Sequence, residues 1–236
     1  MIFHCKQFSV NQSKSAMKIG TDSILLGAWT PIADDVFSIL DVGAGTGILS
    51  LMLAQRSNAE QIDGIEVEEQ AFEECVENFE NSPWADRLYC YHADLQEFVD
   101  EMEEDKYDLI ISNPPFYSEN SLSPDETRNT ARFQMSLPFE HLLESTALLL
   151  AENGVFSVII PFKEEDNIIS LASSFGLFPF KITHVRGNIE TNIVRSLMAF
   201  SKTEQNCTKD ELAIEISRHQ YTDDYKELTK DFYLKF

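Results

Sequence analysis

One alternation constrains this chain more than anything else. Short apolar runs rich in β-branched residues, SILDV (38–42), QIDGIEV (61–67), RLYCYHA (87–93), YDLIISN (107–113) and VFSVIIP (155–161), are separated by stretches with helical spacing. EEQAFEECVENFENS (68–82) puts Ala71, Phe72, Cys75, Val76 and Phe79 on one helical face and acids on the other. YDLIISN is too apolar for a half-exposed strand and suits a parallel sheet covered on both faces. Strand–helix alternation of this kind predicts an α/β, doubly wound, mostly parallel sheet.

The remaining segments complete that sheet to about seven strands. LPFEHLLESTALLLAENG (137–154) reads as a helix stopped at Asn153-Gly154. EEDNIISLASSFG (164–176) reads as another helix closed by glycine. The runs 177–186 and 193–200, separated by GNIET, predict an antiparallel hairpin at the sheet edge. ELAIEI (211–216) offers one more strand, and TDDYKELTKDFYL (222–234) a final helix capped at Thr222. With no repeat or long linker, 236 residues predict one domain: a core over 38–200, a segment 1–30 before it and an extension 201–236 after it. The longest polar loop, 117–136, follows YDLIISNPPF directly.

The net charge of −22 argues against a polyanionic partner, but it is uneven. Residues 60–108 hold eighteen acids against Arg87 and Lys106, a net −16. That block reads as a solvated face. The first twenty residues carry Lys6, Lys14 and Lys18 and no acid, and 181–202 carries Lys181, Arg186, Arg195 and Lys202 against Glu190. These two regions are where a nucleic acid would meet the chain. Cys5, Cys75, Cys90 and Cys207 are scattered without a CxxC pair, which predicts reduced thiols in a cytoplasmic protein. No apolar run is long enough for a bilayer, and MIFHCKQFSV lacks the apolar stretch of a secretory signal. His4, His92, His141, His184 and His219 form no spaced cluster, so no metal site is expected.

LDVGAGTG (40–47) stands at the first strand-to-helix turn, with Gly43, Gly45 and Gly47 in a G-x-G-x-G pattern. Such glycines allow a tight turn and let a ligand approach the main chain. Glu66 ends the next strand about twenty residues on, where a carboxylate can hold two ribose hydroxyls. The spacing is one residue shorter than the dinucleotide fingerprint, and a phosphate-free nucleoside fits as well. Asp94 follows the third strand and reads as the N-cap of a helix from Leu95.

NPPF (113–116) lies where the fourth strand ends, the place where open α/β sheets bind ligands. Asn113 offers a side-chain carbonyl. Pro114 offers a main-chain carbonyl beside prolines that have no N–H to donate. Two adjacent acceptors match one exocyclic NH₂, and Phe116 or Tyr117 can stack on the flat ring that bears it. Accepting a hydrogen bond from each N–H pushes the nitrogen towards tetrahedral geometry and frees its lone pair, and positioning in line with an electrophile supplies much of the rate. Base flipping would bring such an amine to this turn.

DVGAGTG (41–47) resembles the first motif of the class I methyltransferases, which are Rossmann-like, and NPPF their amino-group N-methyltransferase motif. MKIGTDSILLGAW (17–29), with ILDVGAGTGILSLMLAQR and DLIISNPPF, resembles the bacterial tRNA1(Val) (adenine37-N6)-methyltransferase family over nearly the whole chain. The resemblance implies S-adenosyl-L-methionine as cofactor and the anticodon stem-loop of tRNA(Val) as substrate. It implies a segment around Lys18, Thr21 and Asp22 over the methionine end of the cofactor; Thr21-Asp22-Ser23 also reads as a helix start. The cofactor set is then Thr21, Asp22, Asp41, Gly43, Gly45, Gly47, Glu66, Asp94 and Asn113, and the catalytic set Asn113, Pro114, Pro115 and Phe116. Lys181, Arg186 and Arg195 are candidate RNA contacts, with Arg128 and Arg132 in the loop. Methylation of a protein glutamine amide, or of guanine N2 in ribosomal RNA, is the alternative that NPPF also serves.

Overall fold

A computed structural model of the chain describes residues 1–102, 105–115 and 137–235. Phe116, Tyr117, Arg128 and Arg132 lie outside the described residues.

Strands β3 (Ser38–Val42), β4 (Gln61–Glu66), β5 (Leu88–His92), β6 (Tyr107–Ser112) and β7 (Leu150–Pro161) run parallel in the order β5-β4-β3-β6-β7. Between them come α2 (Ile48–Arg56), α3 (Glu69–Glu80), α4 (Leu95–Glu101) and α5 (Phe139–Leu149). After α6 (Glu165–Ser174) the chain forms the antiparallel hairpin β8 (Phe178–Asn188) and β9 (Ile193–Ser201). β9 pairs with β7, so β8 lies beyond it. β10 (Thr208–Ser217) then pairs parallel to β8, and β11 (Gln220–Tyr221) closes a nine-stranded sheet. The hairpin is therefore covered on its outer side by two strands of the C-terminal extension. Helix α7 (Asp223–Thr229) follows, with Thr222 capping the N–H of Tyr225.

Every residue of β3 is buried, because both faces of the sheet are covered. The two-residue period of the strands sorts their side chains into two cores. Ile39, Leu109, Ile111 and Ile159 face one side with α2 and the N-terminal segment; Leu40, Val42, Ile110 and Ile160 face the other with α4, α5 and α6. This is why these strands read as continuous apolar runs.

Two local expectations are corrected. Helix α5 ends at Leu149 rather than at Asn153-Gly154, and β7 begins at Leu150 and runs straight through Gly154. Gly154 does not have a positive φ; a Cβ there would lie 2.8 Å from Leu150 Cδ1 and 3.0 Å from the Tyr107 carbonyl, where the β6–β7 register shifts. The glycine answers a close backbone approach, not a helix stop. Gly176, with φ +73°, does close α6 as expected. On α3 the acids are not all outside: Glu74 is buried, as is the neutral amide of Asn78, beside Cys75 and Phe79.

The N-terminal segment forms a small antiparallel pair, β1 (Ile2–His4) and β2 (Ser9–Asn11), followed by helix α1 (Thr21–Trp29). Residues Ile24–Trp29 are all buried, and α1 packs against α2, α7 and β7. A helix apolar all round belongs inside a protein. Gly27 lets α2 come close, since a Cβ there would lie 2.6 Å from Met52 Sδ. Arg56 donates to the Gly27 and Thr30 carbonyls (2.6 and 2.9 Å), and Trp29 Nε1 donates to Thr183 Oγ1 (2.7 Å). Helix α1 is thus clamped at its C-terminal end. Its N-cap is Gly20, without a side-chain capping bond, so Thr21, Asp22 and Ser23 form the first turn itself.

Candidate active site at the sheet's switch point

Sheet order reverses between β3 and β6: the chain leaves β3 towards β4, and returns to β6 on its other side. Ligands of open α/β sheets bind outside the carboxyl ends of strands at such a point. The glycine loop follows β3 and Asn113-Pro114-Pro115 follows β6. Val42 pairs with Ser112, whose hydroxyl donates to the Val42 carbonyl (2.8 Å), so both motifs lie side by side.

All three loop glycines are left-handed, with φ +74° at Gly43, +57° at Gly45 and +81° at Gly47. Their surroundings differ. A Cβ at Gly43 or Gly45 would meet nothing within 4 Å, so the loop faces open space there. A Cβ at Gly47 would lie 2.5 Å from Phe79 Cε1 and 2.9 Å from Cys75 Sγ, so this glycine seats the loop on α3. The Gly43 and Ala44 N–H groups donate to the Ile65 carbonyl (3.0 and 2.9 Å), tying the loop to β4.

Glu66 is brought to this loop as predicted. Its Oε2 accepts from the Gly45 N–H and its Oε1 from the Glu68 N–H, both at 2.8 Å. These bonds fix the carboxylate and leave each oxygen a further lone pair. Val67, next to it, is a half-exposed apolar side chain. Asp94 is exposed and caps α4, its Oδ1 accepting from the Glu97 N–H (2.9 Å).

Asp41 is fully buried rather than open to a ligand. Its Oδ2 accepts from the N–H and hydroxyl of Ser50 (3.1 and 2.8 Å), satisfying an orphan N–H in the first turn of α2. Its Oδ1 has no hydrogen-bond partner among the described residues. Burial pushes the carboxyl up to about 7, against the lowering effect of the Ser50 bonds.

Asn113 is half-buried at the end of β6. Its Nδ2 donates to Ser23 Oγ (3.0 Å), while Oδ1 accepts no bond from a described residue. Asp22, one residue before Ser23, accepts from Arg195 Nε (2.9 Å). Arg195 pairs in register with Pro161 and so sits at the same end of the sheet. The first turn of α1 therefore touches both β9 and the Asn-Pro-Pro turn. Thr21 is exposed at the start of that turn.

The segment leading to α1 is held by α3. Glu74 accepts from Ser13 Oγ (2.9 Å) and from the N–H groups of Lys14 (2.7 Å) and Ser15 (2.8 Å). Desolvation alone would raise this carboxyl; the hydrogen bonds from Ser13, Lys14 and Ser15 outweigh it and hold it below the ordinary value. Asn78 Nδ2 donates to the carbonyls of Asn11 and Thr46, both 2.9 Å, linking the segment to the glycine loop. Lys18 Nζ donates to the Gln12 and Ser15 carbonyls, both 2.6 Å.

Sequence reasoning missed Glu74, Asn78 and Ser23. Glu74 and Asn78 carried a signal, since they lie four apart beside the apolar positions Cys75 and Phe79. Ser23 carried none.

The predicted RNA contacts are engaged with the protein. Lys181 Nζ lies 4.5 Å from the centre of the Trp29 ring, a cation–π contact, and burial lowers its ammonium's affinity for its proton. Arg186 pairs with Glu211 and donates to the Thr191 carbonyl (3.3 Å). Arg195 is held by Asp22 as above. All four cysteines are free thiols. Among the described residues no group of three or more His, Cys, Asp or Glu is placed to hold a metal ion. No described helix is long and apolar enough to cross a membrane.

Comparison with known proteins agrees with this geometry. Residues 13–133 match the Methyltransferase small domain family. The chain is 58% identical over 234 residues to the tRNA1(Val) (adenine(37)-N6)-methyltransferase of Flavobacterium psychrophilum, covering 99% of this chain and 100% of that one. It is 42% identical to the protein of that name from Bacteroides fragilis, covering 99% and 98%. Among solved structures, one described as a predicted O-methyltransferase from Agrobacterium tumefaciens matches with a TM-score of 0.70 at 21% identity, covering 89% of this chain and 96% of that one. That likeness extends to the fold. With the two motifs side by side at the switch point and relatives this close over the full length, the chain belongs to the tRNA1(Val) (adenine(37)-N6)-methyltransferase family.

Proposed function

We propose that this protein is a cytoplasmic enzyme that methylates N6 of adenine37, beside the anticodon of tRNA1(Val), using S-adenosyl-L-methionine. The observation that carries the reading is Asn113, whose N–H is taken by Ser23 and whose Oδ1 is left to accept, at the end of β6 beside the glycine loop. The residues present suit the cofactor. Gly43 and Gly45 leave open space against the main chain. Glu66 is fixed with lone pairs to spare for two ribose hydroxyls. Asp41, buried beneath the loop, supports it by holding the first turn of α2 through Ser50 rather than by touching the ligand. Bound S-adenosyl-L-methionine supplies an electrophilic methyl group on a sulfonium.

The chain's own groups do the rest. Glu66 holds the ribose, Val67 offers the nucleoside ring an apolar surface, and Asp94 accepts from its amino group. The segment 1–30, with Thr21 and Asp22, covers the methionine end. Asn113 Oδ1 and the Pro114 carbonyl accept hydrogen bonds from the two N6–H groups of the flipped adenine, so its lone pair points along the transfer direction. Phe116 stacks on the base. Lys181, Arg186, Arg195 and Arg132 remain proposed contacts to RNA. Since Lys181, Arg186 and Arg195 are paired internally and the chain carries −22, tRNA recognition rests on the shape of the anticodon loop more than on bulk charge.

The test uses labelled S-adenosyl-L-methionine with unmodified tRNA1(Val), digestion, and mass spectrometry of the nucleosides. N6-methyladenosine at position 37 is expected with the native protein. With Asn113→Ala it disappears, because one of the two acceptors for the N6 amino group is gone. Label on a protein glutamine or on guanine N2 would refute the assignment, as would full turnover by Asn113→Ala.

A further inference from the structure

Asn113 can present its carbonyl to an amine only if its amide is held still. Pro114 and Pro115 stiffen the backbone after it, but they do not fix the side-chain torsions. The only described group bonded to that side chain is Ser23 Oγ, 90 residues earlier in the chain. Ser23 is the third residue of α1, whose N-cap is Gly20, and its hydroxyl is bonded to the Asn113 amide.

We propose that Ser23 is a positioning residue for Asn113, and that α1 lends its rigidity to the catalytic amide. This rests on the reading of Asn113 as the acceptor for the substrate amine. The platform is stiff for reasons already described: α1 is buried from Ile24 to Trp29, clamped by Arg56 at its end, and tied to β9 at its first turn by Asp22 and Arg195. A serine hydroxyl can accept from an amide N–H or donate to an amide oxygen, so Ser23 holds the plane of the amide in either orientation. The substrate's two N–H groups then select the orientation with Oδ1 outward, and only a group that can accept from Nδ2 is compatible with it. An ordered amide spares the reaction the entropy of immobilising it when the base arrives.

Four variants separate this role from simple packing. Ser23→Thr keeps the hydroxyl; Ser23→Val has the shape of threonine without it; Ser23→Ala removes it without adding bulk; Asn113→Ala tests the underlying reading. For Ser23→Val and Ser23→Ala, kcat is expected to fall about tenfold, the rate equivalent of one hydrogen bond, with KM for tRNA and cofactor affinity within about threefold. Ser23→Thr is expected to stay within about threefold of the native kcat. A second readout needs neither cofactor nor RNA: the side-chain ¹⁵N amide resonances of Asn113, identified by their loss in Asn113→Ala. These should shift in Ser23→Val and Ser23→Ala and be retained in Ser23→Thr. Native kcat in Ser23→Val despite shifted resonances would overturn the proposal while leaving Asn113 in its role. Equal loss in Ser23→Thr and Ser23→Val would also overturn it, by showing that shape and not the hydroxyl matters. Full turnover by Asn113→Ala would remove the premise and the proposal together.

Discussion

Alanine at Gly47 and at Gly45 should have different consequences, although both glycines lie in one short loop. At Gly47 the backbone is left-handed (φ +81°, ψ 14°), which costs an L-residue about 1–2 kcal/mol. The new methyl would also lie 2.5 Å from Phe79 Cε1 and 2.9 Å from Cys75 Sγ. Both partners are buried on α3 and cannot swing into solvent, so relief requires α3 or the loop to move, an overpacking cost of about 1–3 kcal/mol. The sum, about 2–5 kcal/mol, is a large part of the stability of an ordinary domain, about 5–15 kcal/mol. Gly45 is also left-handed (φ +57°), but its methyl meets nothing within 4 Å, which leaves only the backbone cost of about 1–2 kcal/mol. Urea denaturation followed by circular dichroism, with the cofactor absent, compares the two directly. Gly47→Ala is expected to lose at least about 1 kcal/mol more than Gly45→Ala, the low end of an overpacking penalty. Gly45→Ala should instead weaken cofactor binding more, because its methyl fills the open side of the loop. Equal losses of stability would show that Gly47 is not wedged against α3, and the account of the loop's seating would fail.

Two further outcomes follow from buried carboxylates. Asp41 holds its proton more tightly folded, with a value of about 7, than unfolded, about 4, so its contribution is full below about pH 4 and is lost as pH rises through about 7. Asp41→Asn removes that dependence, so its stability relative to the native protein should rise by up to about 4 kcal/mol between pH 4 and 8; parallel pH–stability curves would contradict the buried, half-satisfied carboxyl. Glu74→Ala strands the Lys14 and Ser15 N–H groups, a cost of about 2–4 kcal/mol, and should accelerate hydrogen exchange over residues 11–18 by roughly thirtyfold or more; unchanged exchange would mean that α3 does not hold that segment.

Much of the sheet was legible because its signals are short-range. The all-buried β3 and the two-core division follow from strand periodicity, and Thr222 capped its helix as expected. Gly154 shows the limit of local reading. Asn153-Gly154 after a helical run looks like a stop, yet the glycine is explained by a Tyr107 carbonyl 3.0 Å away on a neighbouring strand. The place of β10 was equally invisible: ELAIEI reads as a strand, but nothing in it says that it will cover β8 rather than end the sheet elsewhere.

At the candidate site the division is the same. The left-handed glycines, Glu66 at the end of β4 and the Asn-Pro-Pro turn at the end of β6 were given by residue type and by place in the strand–turn–helix pattern. Those properties act within a few residues, through sterics and backbone torsions, so the sequence by itself determined them. The partners of the polar side chains were not determined that way. Asn113 finds Ser23 across 90 residues, Asp22 finds Arg195 across 173, and Glu74 finds Ser15 across 59. Each pairing exists because burial of α1, β9 and α3 against the sheet brings those groups within hydrogen-bond reach, and only the packed core decides which polar groups meet.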